Sequence, residues 1–222
     1  MSRTSSRGAW LAATIILTMI GHAGAQSVHT LLGAAERGDV AALRTMIAAR
    51  MPLDTRDAAK RTPLLVAIER GQLEAAKLLI EAGADINAQA ENMDTPWLLA
   101  GARGHADLLR LMLPRKPDLR LRNRFGGSAL IPACERAHVE AVKVLLTSGI
   151  DVNHVNNLGW TCLLEIVILG NGGPRHMETT RLVLAAGANP NLADRDGVSP
   201  LTHARRKGQH EIAELIAQAG GR

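Results

Sequence analysis

From residue 28 onward, apolar residues come in short bursts at helical spacing, never in one sustained run. In residues 61–83, Leu64, Ala67 and Ile68 form one stripe, Gly71 interrupts it, and Ala75, Ala76, Leu78 and Leu79 form a second. Each stripe predicts a helix of about two to three turns. Thr62-Pro63 opens the first helix, because a threonine hydroxyl caps free amides and a proline at the first helical position loses no hydrogen bond. Gly83 permits the left-handed residue that stops the second helix. Asp57, Asp85 and Asn87 supply turn chemistry on either side of the pair.

The same pattern returns at a fixed interval. Thr62, Thr95, Ser128 and Thr161 are each 33 residues apart, and Ser199 follows Thr161 by 38. Five extra residues therefore fall in the fifth unit, where "ILGNGGPRHME" occupies residues 168–178. A 33-residue period with Thr-Pro-Leu, an alanine, a glycine and a second Leu-Leu run ending in Gly-Ala-Asp-x-Asn closely resembles the ankyrin repeat. The resemblance covers residues 28–222, with a truncated first unit near 28–56 and further units starting near Asp57, Ala90, Asn123, Asn156 and Asp194. It implies an all-α ankyrin repeat solenoid of about six helix-turn-helix repeats with projecting β-hairpin loops. The first unit lacks a hairpin and a Thr-Pro start. The last carries polar Gln209, His210, Glu211, Glu214 and Gln218, so both read as end caps.

Some positions depart from the family. The usual histidine after Thr-Pro-Leu is Leu65, Leu98, Ile131, Leu164 and Thr202 here, so apolar packing is expected in its place. Pro114 and Pro117 replace the Gly-Ala turn of the third unit, so its second helix should stop early. Trp97 stands at a core leucine position and is expected to pack inside.

Residues 1–25 do not fit the repeat. Arg3 and Arg7 precede the apolar run Ala9 to Ile20, and Ala23-Gly24-Ala25 supplies small residues for a signal peptidase, which reads as a cleaved export signal ahead of a repeat domain at 26–222. The apolar run has twelve residues, short of the roughly 20 that a membrane-crossing helix needs, so no membrane insertion is expected after cleavage. Together with the repeats, this suggests an exported bacterial ankyrin repeat protein in the periplasm, or alternatively a secreted one. Loss of Arg3 and Arg7 lowers the formal charge from +5 to +3. Such a mild excess is usually a solvated surface, and Arg205-Arg206-Lys207 lacks the aromatic interleaving of a nucleic-acid site, so no nucleic-acid partner is expected.

Candidate chemistry is sparse. His210-Glu211 begins a zinc-helix motif, but Glu214 stands where the second histidine belongs, so no metal site is expected. Gly126-Gly127-Ser128 resembles the start of a nucleophile elbow, but Leu130 replaces its second glycine, and Ser128 reads as the helix cap of its repeat. The glycines at 170, 172 and 173 have no Lys-Ser/Thr after them to make a phosphate cradle. Glu165 and His176 are an acid and a base without a nucleophile. No cofactor is implied. Cys134 lies five residues beyond the repeat position of Cys162, about 7.5 Å of helical rise, and a lateral spacing of about 10 Å then separates the two by roughly 12 Å. That exceeds the reach of a disulfide, so two buried thiols are expected.

The ankyrin resemblance implies a non-catalytic protein–protein interaction scaffold, with a partner protein held by hairpin tips and by the exposed side of the first helices. Carried over residue by residue, the tips include Asp94, Arg124, Phe125, Leu158 and Trp160, and the helix positions include Arg103, Glu135, Arg136, Ile168 and Leu169. Phe125, Leu158 and Trp160 with Arg103, Arg124 and Arg136 have the aromatic-plus-arginine make-up of interface hot spots. The expected groove therefore centres on the fourth and fifth repeats. The segment at 170–176 either folds over Ile168 and Leu169 as a lid or widens the patch as a recognition loop. A monomer binding an unidentified protein, in support of stress defence as the resemblance implies, is the leading reading. A secreted effector acting on another cell and an enzyme are the alternatives. If the export reading holds, the intact mass of protein from a periplasmic extract will correspond to a chain beginning at Gln26. A full-length Met1 form in the cytosol would overturn it.

Overall fold

The computed structural model describes residues 30–222, so the proposed export signal at 1–25 lies outside the described residues. Twelve α-helices follow one another in pairs among these residues: α1 (Leu31–Arg37) and α2 (Val40–Ala48), α3 (Pro63–Glu69) and α4 (Leu73–Ala82), α5 (Pro96–Arg103) and α6 (Ala106–Met112), α7 (Leu130–Glu135) and α8 (Val139–Leu146), α9 (Cys162–Leu169) and α10 (Pro174–Ala185), α11 (Pro200–Arg206) and α12 (His210–Gln218). The odd-numbered helices stack into an inner layer and the even-numbered ones into an outer layer. Helices this short cannot bury their apolar faces alone, so the core runs continuously from repeat to repeat.

The repeated threonine does what the sequence requires of it. The hydroxyls of Thr30, Thr62, Thr95, Thr161 and Ser199 each accept the amide three residues on, at 3.0 to 3.3 Å. The first unit thus has its threonine cap without the proline. The hairpins are five-residue turns closed by two backbone bonds apiece, such as the Asp57 amide to the Arg61 carbonyl and the Lys60 amide to the Asp57 carbonyl, and no strand forms among the described residues. Their bases are held by side chains: the Oδ1 atoms of Asp57, Asn123, Asn156 and Asp194 each accept amides two and four residues ahead. Leu65, Leu98, Ile131 and Leu164, standing where the family has histidine, are buried, as is Trp97. α6 ends at Met112 and gives way to a 3-10 turn over Leu113–Arg115, with Lys116 left-handed at φ 55°, so the two prolines do shorten it.

Three expectations fail, each for a physical reason. Ser128 does not cap α7. Ala129 is the N-cap residue, and the Ser128 hydroxyl is buried without a partner. In the other repeats the fourth residue after the threonine or serine donates its amide to that residue's carbonyl, but in this one that residue is Pro132, which has no amide to donate. Gln209 is not an exposed end cap. It is buried, and its Nε2 donates to the carbonyls of Val167 at 3.3 Å and Gly170 at 3.1 Å, which lie past the last helical bonds of α9.

The third correction concerns the cysteines. Cys134 and Cys162 form a disulfide between α7 and α9, with Cα atoms 5.6 Å apart. The estimate of roughly 12 Å assumed that neighbouring inner helices run side by side in register. They are staggered instead, so the end of one lies against the start of the next. The equivalent pair one repeat earlier shows the same approach: a Cβ built on Gly101 would fall 2.7 Å from the carbonyl oxygen of Ala129 and 2.9 Å from its Cβ. A bridge that closes a loop of 28 residues stabilises a chain by about 3–4 kcal/mol in the loop-entropy account. Denatured, unreduced protein should therefore show no alkylatable thiol. Replacing both cysteines by alanine should lower unfolding free energy by roughly 2–4 kcal/mol in urea titrations. Two free thiols in protein purified without reductant would contradict the pairing.

Candidate functional site

The five extra residues do not form a lid. α9 runs to Leu169, Gly170 to Gly173 make the link, and α10 starts with Pro174 and extends to 12 residues, so much of the insertion is an added turn of helix. Leu169 stays 51% exposed, whereas Ile168 is half-buried against the core. The exposed end of α9 is held from the next repeat: Lys207 Nζ donates to the carbonyls of Ile168 and Gly170. This places a cation where the negative end of the helix dipole needs one.

The proposed binding residues separate into two groups. Arg103, Arg124, Phe125 and Arg136 line one cleft of about 630 Å³ on the concave side between the third and fourth repeats, with Asn92, Asp94, Leu99, Asn123, Pro132, Glu135 and His138. Leu158, Trp160, Ile168 and Leu169 belong to the fifth repeat and do not line it. Trp160 is half-buried and packs against the core, so it serves the fold as well as the surface. Phe125 is 54% exposed and Leu158 51%, on successive hairpin tips at the same repeat position; Met93, one residue out of that register, extends the apolar stripe at 44%. The Phe125 carbonyl accepts the Asn157 amide at 2.9 Å, which ties these two tips together. Glu91 makes the equivalent bond to Ala59, but Arg124 does not make it to Asn92, where the cleft opens, nor Arg195 to Leu158. Sequence reasoning missed Leu99, Pro132 and His138, although the first two share the repeat position of Glu165, one turn into the inner helix.

Charge in the cleft is unevenly satisfied. Arg136 donates to the Ala102 carbonyl at 3.0 Å and lies 3.8 Å from the Glu135 carboxylate. Arg124 sits over the Phe125 ring, 4.8 Å from its centroid. The Arg103 side chain has no hydrogen bond or ion pair among the described residues. Burial pushes the Asp94 carboxyl above its ordinary range, against the pull of Arg124 and Arg103.

A family model described as ankyrin repeats in three copies matches residues 14–90 and 97–172, the first match reaching back into the N-terminal apolar run. The chain belongs to the ankyrin repeat family. An ankyrin repeat domain from Acinetobacter baumannii AYE is 48% identical, with a TM-score of 0.83, covering 86% of this chain and 98% of that one. The ankyrin repeat protein EF0377 is 38% identical with a TM-score of 0.82 over the same shares. The Escherichia coli K12 protein YahD, itself named for ankyrin repeats, is 44% identical over 63 residues, 28% of this chain and only 31% of YahD. Ankyrin repeats indicate a protein–protein interaction scaffold, and the fold is typically non-catalytic.

Glu165 and His176 of this ankyrin repeat protein both take part in hydrogen bonds that join its repeats and hairpins. His176 and Glu165 do not bond each other: His176 Nε2 meets the Glu135 carbonyl at 3.0 Å, and Glu165 Oε1 accepts from Asn156 Nδ2 at 2.8 Å. Asn156 also holds the amides of Leu158 and Trp160, so Glu165 connects α9 to the base of the hairpin that presents them. No cluster of three metal-ligating side chains occurs among the described residues, and no helix there is long and apolar enough to cross a membrane.

Glu165 is buried, and burial, followed by the neighbouring Glu135 carboxylate, raises its pKa from 4.5 to about 7; the Asn156 bond and Arg136 act in the opposite direction. A folded pKa above the unfolded one means that its contribution to stability is complete below about pH 4.5 and is lost as pH rises through 7. Gln at this position keeps an acceptor for Asn156 and never ionises. Glu165→Gln should therefore match the parent near pH 4.5 and exceed it by about 1–3 kcal/mol near pH 8.5. Urea titrations at the two pH values check this, and a pH-independent difference would refute the assignment.

Proposed function

We propose that this chain is a non-catalytic scaffold of the bacterial periplasm that holds a partner protein along its concave face, from the cleft of the third and fourth repeats to the apolar tips of the fifth. The observation that carries the reading is the exposure of Phe125 beside a cleft edged by Arg103, Arg124 and Arg136. Large apolar side chains turned outward next to arginine are the composition of interface hot spots, and a packed scaffold without a partner gains nothing from exposing them.

The compartment rests on two independent features. The N-terminal segment has the charge, apolar run and small residues of an export signal. The Cys134–Cys162 bridge belongs to an oxidising environment, since cytosolic thiols are kept reduced. The two features support the same location by unrelated physics.

Crosslinking the protein in its native cells, followed by mass spectrometry, would identify the partner. Phe125→Ala should then weaken that complex at least about tenfold, because truncating an interface aromatic commonly costs about 2 kcal/mol or more. Leu158→Ala should weaken it less, and neither should move stability by more than about 0.5 kcal/mol, since both side chains are exposed. Trp160→Ala should cost stability as well as binding, because the ring packs on the core. If Phe125→Ala and Leu158→Ala retain every partner at parental affinity, the concave face is not the binding surface and the outer helices become the candidate.

A further inference from the structure

The cleft between the third and fourth repeats has more to say about its occupant. It is edged by three guanidinium groups and two carboxylates, and internal pairing uses these unequally. Glu135 lies against Arg136, and Asp94 has a weakened hold on its charge. Arg103 and Arg124 are left without a carboxylate in contact, Arg124 resting only on the ring of Phe125. A guanidinium offers up to five donors in a planar fork, and unpaired forks at a partly enclosed site favour a carboxylate ligand.

The backbone at this junction has an opening of its own. The tips before and after are linked by a backbone hydrogen bond, Glu91 to Ala59 and Asn157 to Phe125, but the Arg124 amide and the Asn92 carbonyl are not paired; the same bond is missing between Arg195 and Leu158, where the Arg195 guanidinium instead donates to the Asn157 carbonyl. The gap is a place for an extended chain to donate and accept. Resting on the scaffold reading above, we propose that the cleft binds an extended acidic segment of the partner protein, with carboxylates on Arg103 and Arg124 and an adjacent apolar side chain on Phe125. A basic segment would bring like charge onto three arginines, and a purely apolar one would leave the two unpaired guanidiniums to be desolvated without compensation.

Three labelled peptides of equal length test this, each built on Leu and Phe, with the remaining positions filled by Asp and Glu, by Asn and Gln, or by Lys. In fluorescence anisotropy at low salt the acidic peptide should bind at least about tenfold more tightly than the neutral one, and the Lys peptide more weakly than either. The acidic preference should shrink in about 0.5 M NaCl. It should vanish in Arg103→Glu/Arg124→Glu, whose circular dichroism and melting should stay parental, as both side chains lie on the surface. Equal binding of the acidic and neutral peptides, lost in Phe125→Ala, would overturn the charge inference while leaving the scaffold reading intact. An acidic preference that survives the double substitution would place recognition elsewhere and overturn both at this surface. Binding of none of the three peptides would overturn the acidic-segment proposal alone, since the crosslinked partner and Phe125→Ala test the scaffold reading separately.

Discussion

The whole structure depends on how closely, and in what register, one repeat stacks on the next. No helix among the described residues exceeds 12 residues, and each pair presents apolar surface that only a neighbour can cover. Alanine recurs at the tightest point of the inner helices, as Ala34, Ala67, Ala100, Ala133 and Ala204, all fully buried. In the fifth repeat the position is Ile166, also fully buried. The backbone then has little freedom left. A side chain that changes the stacking at one junction must be absorbed at that junction, because the core is continuous and close-packed on both sides.

The departures from regularity gather around the fourth repeat. Gly101 lets the Ala129 backbone approach α5, Pro132 delays the start of α7, and Pro114 shortens α6 just before it. Ala90 lacks the carboxylate or amide that anchors the other hairpins, and the link from Arg124 to Asn92 is missing. The cleft opens at this junction. At the next one the disulfide fixes α7 to α9 covalently. The concave face thus has a loosened junction beside a locked one, and Phe125 projects from the hairpin between them.

What could be read from the sequence was whatever a single helix or turn decides. Thr62-Pro63, Asp57 and Gly83 each act on amides or dihedral angles within a few residues, so their roles follow from spacing. The disulfide could not be found in that way, because the stagger of α7 against α9 is set by packing between repeats. Gly101 and Ala129 carried the clue, a residue without a Cβ at the cysteine position one period earlier, but it becomes visible only once the helices are in contact. Gln209 was misleading for a related reason: its polarity suggested solvent, whereas the open carbonyls at the end of α9 needed a donor. Among the candidate binding residues, the cationic set converged on one cleft, while Trp160 proved to divide itself between core and surface.

That division gives the concave face a direction. The position just past the middle of each inner-helix terminus reads Arg70, Arg103 and Arg136, then Leu169, then Lys207. Arg70 is occupied by Glu36, and Lys207 by the carbonyls at the end of α9, so neither adds free charge to the groove. Of the cations that line the cleft, Arg103 and Arg124 are left without a carboxylate in contact, at the third and fourth repeats, and exposed aliphatic surface follows at the fifth, where Leu158 and Leu169 stand out. A segment with its acidic residues at one end and its apolar residues at the other would match this face in one orientation and oppose it in the reverse, where carboxylates would meet Leu169 and lose solvation without gaining a partner. Selectivity for chain direction would then arise from the order of side chains along the stack, with the repeat scaffold supplying only their spacing.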